Sequence, residues 1–160
     1  MDNPMAQAHT DIDFIAVQRE DFSLAVEYAK LCENNSRDGA VVTFTGLVRD
    51  LNQGRSVSSL TLEHYPAMTH KALQEIVQDA RSRWQLGRIR VIHRVGRLQL
   101  NEQIVFVGVS ACHRGDAFAA CEFIMDYLKT RAPLWKKEQT DSGEHWVEAK
   151  QTDQHQARRW

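Results

Sequence analysis

Residues 110–116 contain side chains that could bind an anion. The segment reads Ser-Ala-Cys-His-Arg-Gly-Asp and joins an apolar, strand-like run to a helical pattern. The first N–H groups of a helix have no partner within the helix and favour an anion, and His113 and Arg114 add two further donors. The segment therefore predicts a phosphate or carboxylate site, although a capped helix with a surface arginine would have the same pattern.

A second group of residues could supply proton transfer or nucleophilic chemistry. The segment 127–137 contains four cationic residues and no acidic one: Lys129, Arg131, Lys136 and Lys137. Pro133 forces a bend in the middle, so the first two and the last two cations lie on different elements. Lysines that converge from two elements repel one another, which lowers a lysine pKa. The alternative is a solvated basic turn.

Other candidate residues are weaker. Arg49 ends a predicted strand beside a loop, where its side chain could reach over a pocket. Six arginines between Arg81 and Arg97 are interpreted as a solvated or subunit-contacting face. Cys112 adjoins His113 and could be a nucleophile, but cysteine more often serves as a small buried hydrophobe. The histidines and cysteines lack zinc-finger spacing, so no metal site is predicted.

The composition is that of an ordinary globular domain. The chain has 160 residues, 42% of them hydrophobic, and its 20 basic and 21 acidic residues give a net charge of -1. This balance argues against a dedicated nucleic-acid or membrane-surface protein. No apolar run reaches the ~18 residues of a membrane span. Three cysteines without CxxC spacing favour a reducing compartment, and we predict a cytoplasmic protein.

The hydrophobic periodicity predicts an α+β fold with three helices and mostly antiparallel strands in hairpins. A flexible leader (1–10), one domain (11–150) and a polar tail (151–160) are expected. The strands 40–48 and 57–65 are expected to pair as a long hairpin. The predicted strands are 12–17, 40–48, 57–65, 89–98, 104–111, 134–139 and 145–150. The predicted helices are 21–33, one from Pro66 to before Gly87, and 114–130.

Five segments together resemble one family, the catalytic large subunit of molybdopterin synthase. The resemblance spans about residues 35–150, and its segments occur in the family's order. The longest segment contains Leu-Lys-Thr-Arg-Ala-Pro-Leu-Trp-Lys-Lys-Glu, which is too long to match by coincidence. The segments are 38–46, 62–68, 91–96, 110–114 and 125–138.

The resemblance implies an α/β-hammerhead-like fold and a central homodimer within a heterotetramer. Each subunit would bind one small ubiquitin-like sulfur carrier, whose C-terminal Gly-Gly ends in a thiocarboxylate. The implied activity is a sulfurtransferase of molybdenum cofactor biosynthesis, which converts cyclic pyranopterin monophosphate into the dithiolene of molybdopterin. No metal or resident cofactor is implied, because the partner supplies the sulfur.

The resemblance also implies roles for particular residues. Lys129 and Lys136 match the essential lysines; one would orient the thiocarboxylate and stabilise developing charge, and the other would move a proton or help to open the cyclic phosphate. The sequence does not separate these two roles. Leu47 stands where family members often have a basic residue. The implied substrate-binding residues are Leu47, Val48, Arg49, His113, Arg114, Lys137 and Glu138.

Two alternatives compete with this interpretation. A non-catalytic anion- or RNA-binding α+β module would need aromatic stacking platforms beside its arginines, and residues 81–97 offer only Trp84. A catalytically silent relative that only holds the partner is disfavoured by the presence of both Lys129 and Lys136.

Overall fold

The elements alternate between short groups of strands and single helices. The computed structural model describes residues 13–52, 54–147 and 151–160. The predicted leader (1–10) and the end of the last predicted strand (148–150) lie outside these residues. The strands are β1 (Asp13–Gln18), β2 (Ala40–Leu47), β3 (Leu51–Asn52), β4 (Arg55–His64), β5 (Ile89–Arg94), β6 (Gly96–Gln99), β7 (Gln103–Ala111), β8 (Leu134–Thr140) and β9 (Gly143–Val147). The helices are α1 (Leu24–Cys32), α2 (Pro66–Arg83), α3 (Arg114–Arg131) and α4 (Gln151–Arg158).

The first sheet carries the main core. Its strand order is β1-β5-β7-β2, and only β1 and β5 are parallel. Strands β5 and β7 are central and covered by helices, so both are largely buried, and the sequence of β7 is apolar over most of its length. The apolar sides of α2 and α3 pack on this sheet, where Ile76, Val91, Val107, Phe123 and Ile124 are fully buried.

The second sheet has five strands and is entirely antiparallel. Its order is β3-β4-β8-β9, and β6 also pairs with β4. Its core contains five buried residues, of which the first precedes β3 and the fourth precedes β6: Val48, Leu60, Leu62, Val95 and Leu98. Strands β8 and β9 form a hairpin, and Gly143 takes a positive φ of 108° where β9 begins.

The predicted hairpin between 40–48 and 57–65 is wrong. Strand β2 pairs with β7, from Ala40 opposite Ala111 to Leu47 opposite Gln103, whereas β4 pairs with β6 and β8. The predicted strand 89–98 is divided at Val95, and Gly96 has a positive φ of 86°. The chain therefore moves from the first sheet to the second at this point, and β6 takes the position beside β4.

The helix predictions are confirmed in existence and adjusted at their ends. Helix α1 is capped by Ser23, whose hydroxyl accepts from the Val26 N–H at 3.4 Å, rather than by Asp21. Helix α2 ends at Arg83, with Trp84 as its C-cap, before Gly87. A fourth helix, α4, forms in the predicted polar tail and packs on α3. The α+β class with mostly antiparallel strands is confirmed, with four helices instead of three.

Three of the six arginines in segment 81–97 have internal partners and do not belong to a solvated face, whereas Arg83 and Arg97 are exposed. The Arg81 side chain is 10% exposed and pairs with Asp13 of β1. Arg90 pairs with Glu27 of α1 at 2.6 Å, and Arg94 donates to the Gln103 carbonyl at 2.9 Å while only 7% exposed. These arginines tie β1, α1 and β7 together, so their role is structural.

Candidate active site

One cavity contains most of the predicted site residues. Its volume is about 610 Å³, and it lies between the C-terminal turn of α3, the end of β2 and strand β8. Buried or half-buried apolar side chains such as Met125, Leu128 and Leu134 form part of its wall. The titratable and charged groups that line it are Arg49, His93, Lys129, Lys136, Glu138 and Asp153.

Helix α3 places Lys129 at the cavity. Its neighbours Met125 and Leu128 face the core, which fixes the rotation of the last helical turn. The helix dipole favours a cation in this turn. The Lys129 Nζ lies 3.6 Å from Asp153 Oδ1 of α4, and the lysine side chain is 44% exposed. Lys129 thus enters the cavity beside a carboxylate from the last helix.

Strand β8 places Lys136 and Glu138 on the cavity side. Successive side chains of a strand alternate between its faces, so residues 136 and 138 share one face and residue 137 takes the other. Lys137 does not line the cavity; its Nζ lies 3.7 Å from Glu144 Oε2 and 5.3 Å from the centre of the Trp146 ring. Its predicted contact with substrate stays a prediction.

The end of β2 brings residues 47–49 to the same cavity. The register with β7 shifts between Gly46 and Leu47, which marks a bulge at the strand end. Val48 is buried and its N–H donates to the Glu102 carbonyl at 3.0 Å, whereas Leu47 is 48% exposed. Arg49 is exposed and lines the cavity as predicted.

His93 is a cavity residue that the sequence analysis did not select. It lies on β5, is 3% exposed and lines the cavity. Burial is the main cause that lowers the pKa of His93 to about 4. The hydrogen bond that the ring donates to the Arg94 carbonyl opposes this shift, and electrostatic interactions with Lys136 and His64 add to it. The available signal was one histidine in the apolar strand Ile-Arg-Val-Ile-His-Arg, inside a segment already matched to the family.

His113 and Arg114 lie away from this cavity. His113 is the N-cap of α3 without a side-chain cap bond, and both residues are exposed. Fifteen residues separate Arg114 from Lys129, which corresponds to about 22 Å along a helix. Ser110 is held internally, because its hydroxyl donates to Asp38 Oδ2 at 2.7 Å. Within one chain, His113 and Arg114 are therefore not brought to Lys129.

The cysteines and possible metal ligands offer no further centre. All three cysteines are free, and Cys112 is exposed. Burial is the main cause that raises the pKa of the Cys121 thiol to about 12. Across the described ranges, no group of three or more His, Cys, Asp or Glu side chains could hold a metal ion. No helix in the described part of the chain is long and apolar enough to cross a membrane.

Comparison with known proteins assigns the chain to a family. The model of the MoaE protein family matches residues 17–131, and the chain belongs to this family. A relative from Escherichia coli (strain K12), the molybdopterin synthase catalytic subunit, is 60% identical over 146 residues, which are 91% of this chain and 97% of the relative. The predicted family membership is confirmed.

Solved structures agree with this assignment. The molybdopterin biosynthesis MoaE protein from Burkholderia ambifaria MC40-6 is 50% identical with a TM-score of 0.79, covering 92% of this chain and 97% of its own. Molybdopterin synthase from Staphylococcus aureus is 32% identical with a TM-score of 0.75, covering 82% and 95%.

Proposed function

We propose that this chain is the catalytic subunit of a molybdopterin synthase. It transfers sulfur from the thiocarboxylated C-terminus of a small ubiquitin-like partner to cyclic pyranopterin monophosphate. The observation that carries the proposal is the convergence of Lys129 from α3 and Lys136 from β8 on one cavity, in a chain that is 60% identical to a molybdopterin synthase catalytic subunit. The proposal includes no resident metal or cofactor, and it places the protein in the cytoplasm.

The charge of the cavity suits this chemistry. Arg49, Lys129 and Lys136 contribute three positive charges, and Glu138 and Asp153 contribute two negative ones. A volume of about 610 Å³ is within the usual range for small-molecule sites. The excess of positive charge favours a cyclic phosphate and a thiocarboxylate over neutral ligands, because opposite charges attract more strongly in a partly dry site.

The two lysines support complementary steps. The thiocarboxylate sulfur attacks a carbon of the pterin side chain and forms a C–S bond, while the bond from that carbon to a cyclic-phosphate oxygen breaks and the phosphate leaves as an opened monoester. Release of the partner then requires water to add to the acyl carbon, so that negative charge develops on the acyl oxygen and the C–S bond to the partner breaks. Lys129 stabilises this charge, and Lys136 moves the proton at the pterin side chain. These assignments of Lys129 and Lys136 can be exchanged without changing the overall reaction.

The partner's C-terminal tail can reach Lys129 and Lys136 through the cavity. Ala132 and Leu134 line the cavity between the last turn of α3 and strand β8. A Gly-Gly terminus fits a narrow passage because glycine has no side chain and tolerates unusual backbone angles. We place the tail in this passage, with its terminal group beside Lys129 and Lys136. Phe44 and Leu47 line the cavity and are 40% and 48% exposed, so they would contact the partner at the cavity mouth.

The remaining predicted contacts need a second copy of the chain. His113 and Arg114 are about 22 Å along α3 from Lys129, so the same chain does not supply all of them to one small substrate. We infer that the homodimer places His113 and Arg114 of one protomer at the cavity of the other. In this arrangement, two copies of this chain and two partner subunits form a heterotetramer with two cavities.

Reconstitution tests the proposed activity. The purified chain is mixed with thiocarboxylated partner and cyclic pyranopterin monophosphate, and molybdopterin is measured. Product should form only when all three are present, and a partner lacking its last two glycines should give none. Absence of product from the complete, folded mixture would contradict the proposal.

A further inference from the structure

A buried histidine side chain on the cavity wall has no role in the mechanism above. His93 shares its face of β5 with Ile89 and Val91, since residues two apart point to the same side of a strand. Ile89 and Val91 pack in the core beneath α2 and α3, with Met125 and Leu128. Because β5 is hydrogen-bonded to β1 on one edge and β7 on the other, the His93 side chain is directed to the α3 side, where the cavity lies.

The hydrogen-bonding state of the ring follows from one contact. His93 Nδ1 lies 2.8 Å from the carbonyl oxygen of Arg94. A carbonyl oxygen only accepts hydrogen bonds, so Nδ1 carries the proton and Nε2 presents a lone pair. No described backbone group, and no side chain that the structure describes, hydrogen-bonds to Nε2. The cavity wall therefore contains a buried acceptor whose partner is to come from outside the described chain.

The ring is also held uncharged. It is 3% exposed, and this burial, together with electrostatic interactions with Lys136 on β8 and His64 on β4, disfavours a positive charge on the ring. The other charged groups on the cavity wall are Arg49, Lys129, Glu138 and Asp153. At neutral pH, His93 is consequently an acceptor and not a second site for an anion.

Resting on the proposed function, we propose that His93 Nε2 accepts a hydrogen bond from an N–H or O–H group of the bound heterocycle and is a specificity-determining residue. The arginine and lysines of the cavity are donors only and recognise the anionic part of a ligand. An uncharged acceptor recognises a different feature, the donor edge of a pterin-like ring. A site with such an acceptor discriminates against ligands that lack the donor, because the buried acceptor is then left unpaired.

Substrate binding to two variants tests this role. His93→Phe keeps a planar ring but removes the acceptor, and His93→Gln supplies an amide oxygen in its place. We expect His93→Phe to raise the Kd of cyclic pyranopterin monophosphate, and its KM, by about tenfold, with kcat changed much less. His93→Gln should recover part of this loss. His70→Phe on α2, outside the cavity, serves as the matched control, and unfolding curves verify that each variant is folded.

Nuclear magnetic resonance of the wild-type chain gives an independent readout. The ¹⁵N signal of His93 Nε2 should be that of an unprotonated nitrogen and should shift when the substrate donates to it. An unchanged Kd for folded His93→Phe, or an unshifted Nε2 signal in the substrate complex, would overturn the role of His93 while leaving the proposed function intact. Failure of the wild-type chain to bind the substrate or to form molybdopterin would instead overturn the proposed function.

Discussion

At the scale of single residues, His93 makes the stability of the fold depend on pH. Its pKa falls from 6.5 in the unfolded chain to about 4 in the folded one. Between these values the unfolded state binds a proton that the folded state excludes, so stability is complete above pH 6.5 and falls as the pH falls towards 4. From pH 7 to pH 5 this single group should cost about 2 kcal/mol.

Urea unfolding at pH 7 and pH 5 measures this contribution. His93→Gln should lose less stability than the wild-type chain between the two pH values, whatever its absolute stability, because glutamine does not titrate. The difference between the two slopes cancels the titration of all other groups. Equal pH dependence in the two proteins would show that His93 is not held neutral in the folded state.

Residue types alone predicted part of the site. Pro133 separates two lysine-bearing elements, so convergence of Lys129 and Lys136 was one interpretation beside a solvated basic turn. The match of both lysines to the family then favoured convergence. The alternation of β8 explains why Lys137 takes the opposite face from its neighbours. His93 was missed because one histidine in an apolar strand has the pattern of an ordinary core residue, and its hydrogen-bonding state depends on contacts that the sequence does not specify.

At the scale of elements, local patterns predicted which segments are helices and strands but not all strand partners. Period-two alternation identified β2 and β4, yet the same alternation suits any neighbour. Their pairing depends on Gly96, where the chain passes from the first sheet to the second and β6 pairs with β4. A glycine within a predicted strand was the available signal for this break.

Helix α4 was not predicted because its sequence is polar, and a few tertiary contacts hold it. Trp160, just after the helix, packs edge-to-face on Trp84 and Phe123, with ring centres 5.5 and 5.7 Å apart. Its indole N–H also donates to Asp126 Oδ2 at 2.6 Å. Tertiary packing thus stabilises a helix that is too short to be stable alone.

Replacement of this tryptophan should release α4. We expect Trp160→Ala to lower the free energy of unfolding by about 2 kcal/mol, since the side chain is only partly buried. Backbone amides of α4 should then lose protection in hydrogen exchange, while those of α3 keep theirs. Trp146→Ala, at a position that is 61% exposed, is the matched control. Full protection of α4 in the Trp160 variant would show that other contacts hold the helix.

At the scale of the whole molecule, the length of α3 determines how the site is assembled. The sequence predicted that His113 and Arg114 bind an anion, but it gave no distance from Lys129. Both ends of an 18-residue helix do not reach one small ligand. We therefore infer that the two ends of α3 contribute to two different cavities of a homodimer.

Mixing two inactive variants tests this assignment. Chains with Lys129→Ala and chains with His113→Ala and Arg114→Ala should each be inactive as homodimers. After random exchange, half of the dimers are mixed and each has one complete cavity, so activity should return to about a quarter of the wild-type value. Mixed dimers that form but stay inactive would contradict a cavity shared between protomers.

The rate of molybdopterin formation by Lys129→Ala directly tests whether Lys129 takes part in sulfur transfer. Removal of a donor aimed at developing charge lowers a rate by about 10²–10³-fold. The comparison uses saturating thiocarboxylated partner and substrate, with Lys71→Ala, an exposed lysine on α2, as the matched control. We expect a loss of this size for folded, dimeric Lys129→Ala and a normal rate for Lys71→Ala. A near-normal rate for Lys129→Ala would contradict the catalytic role of Lys129.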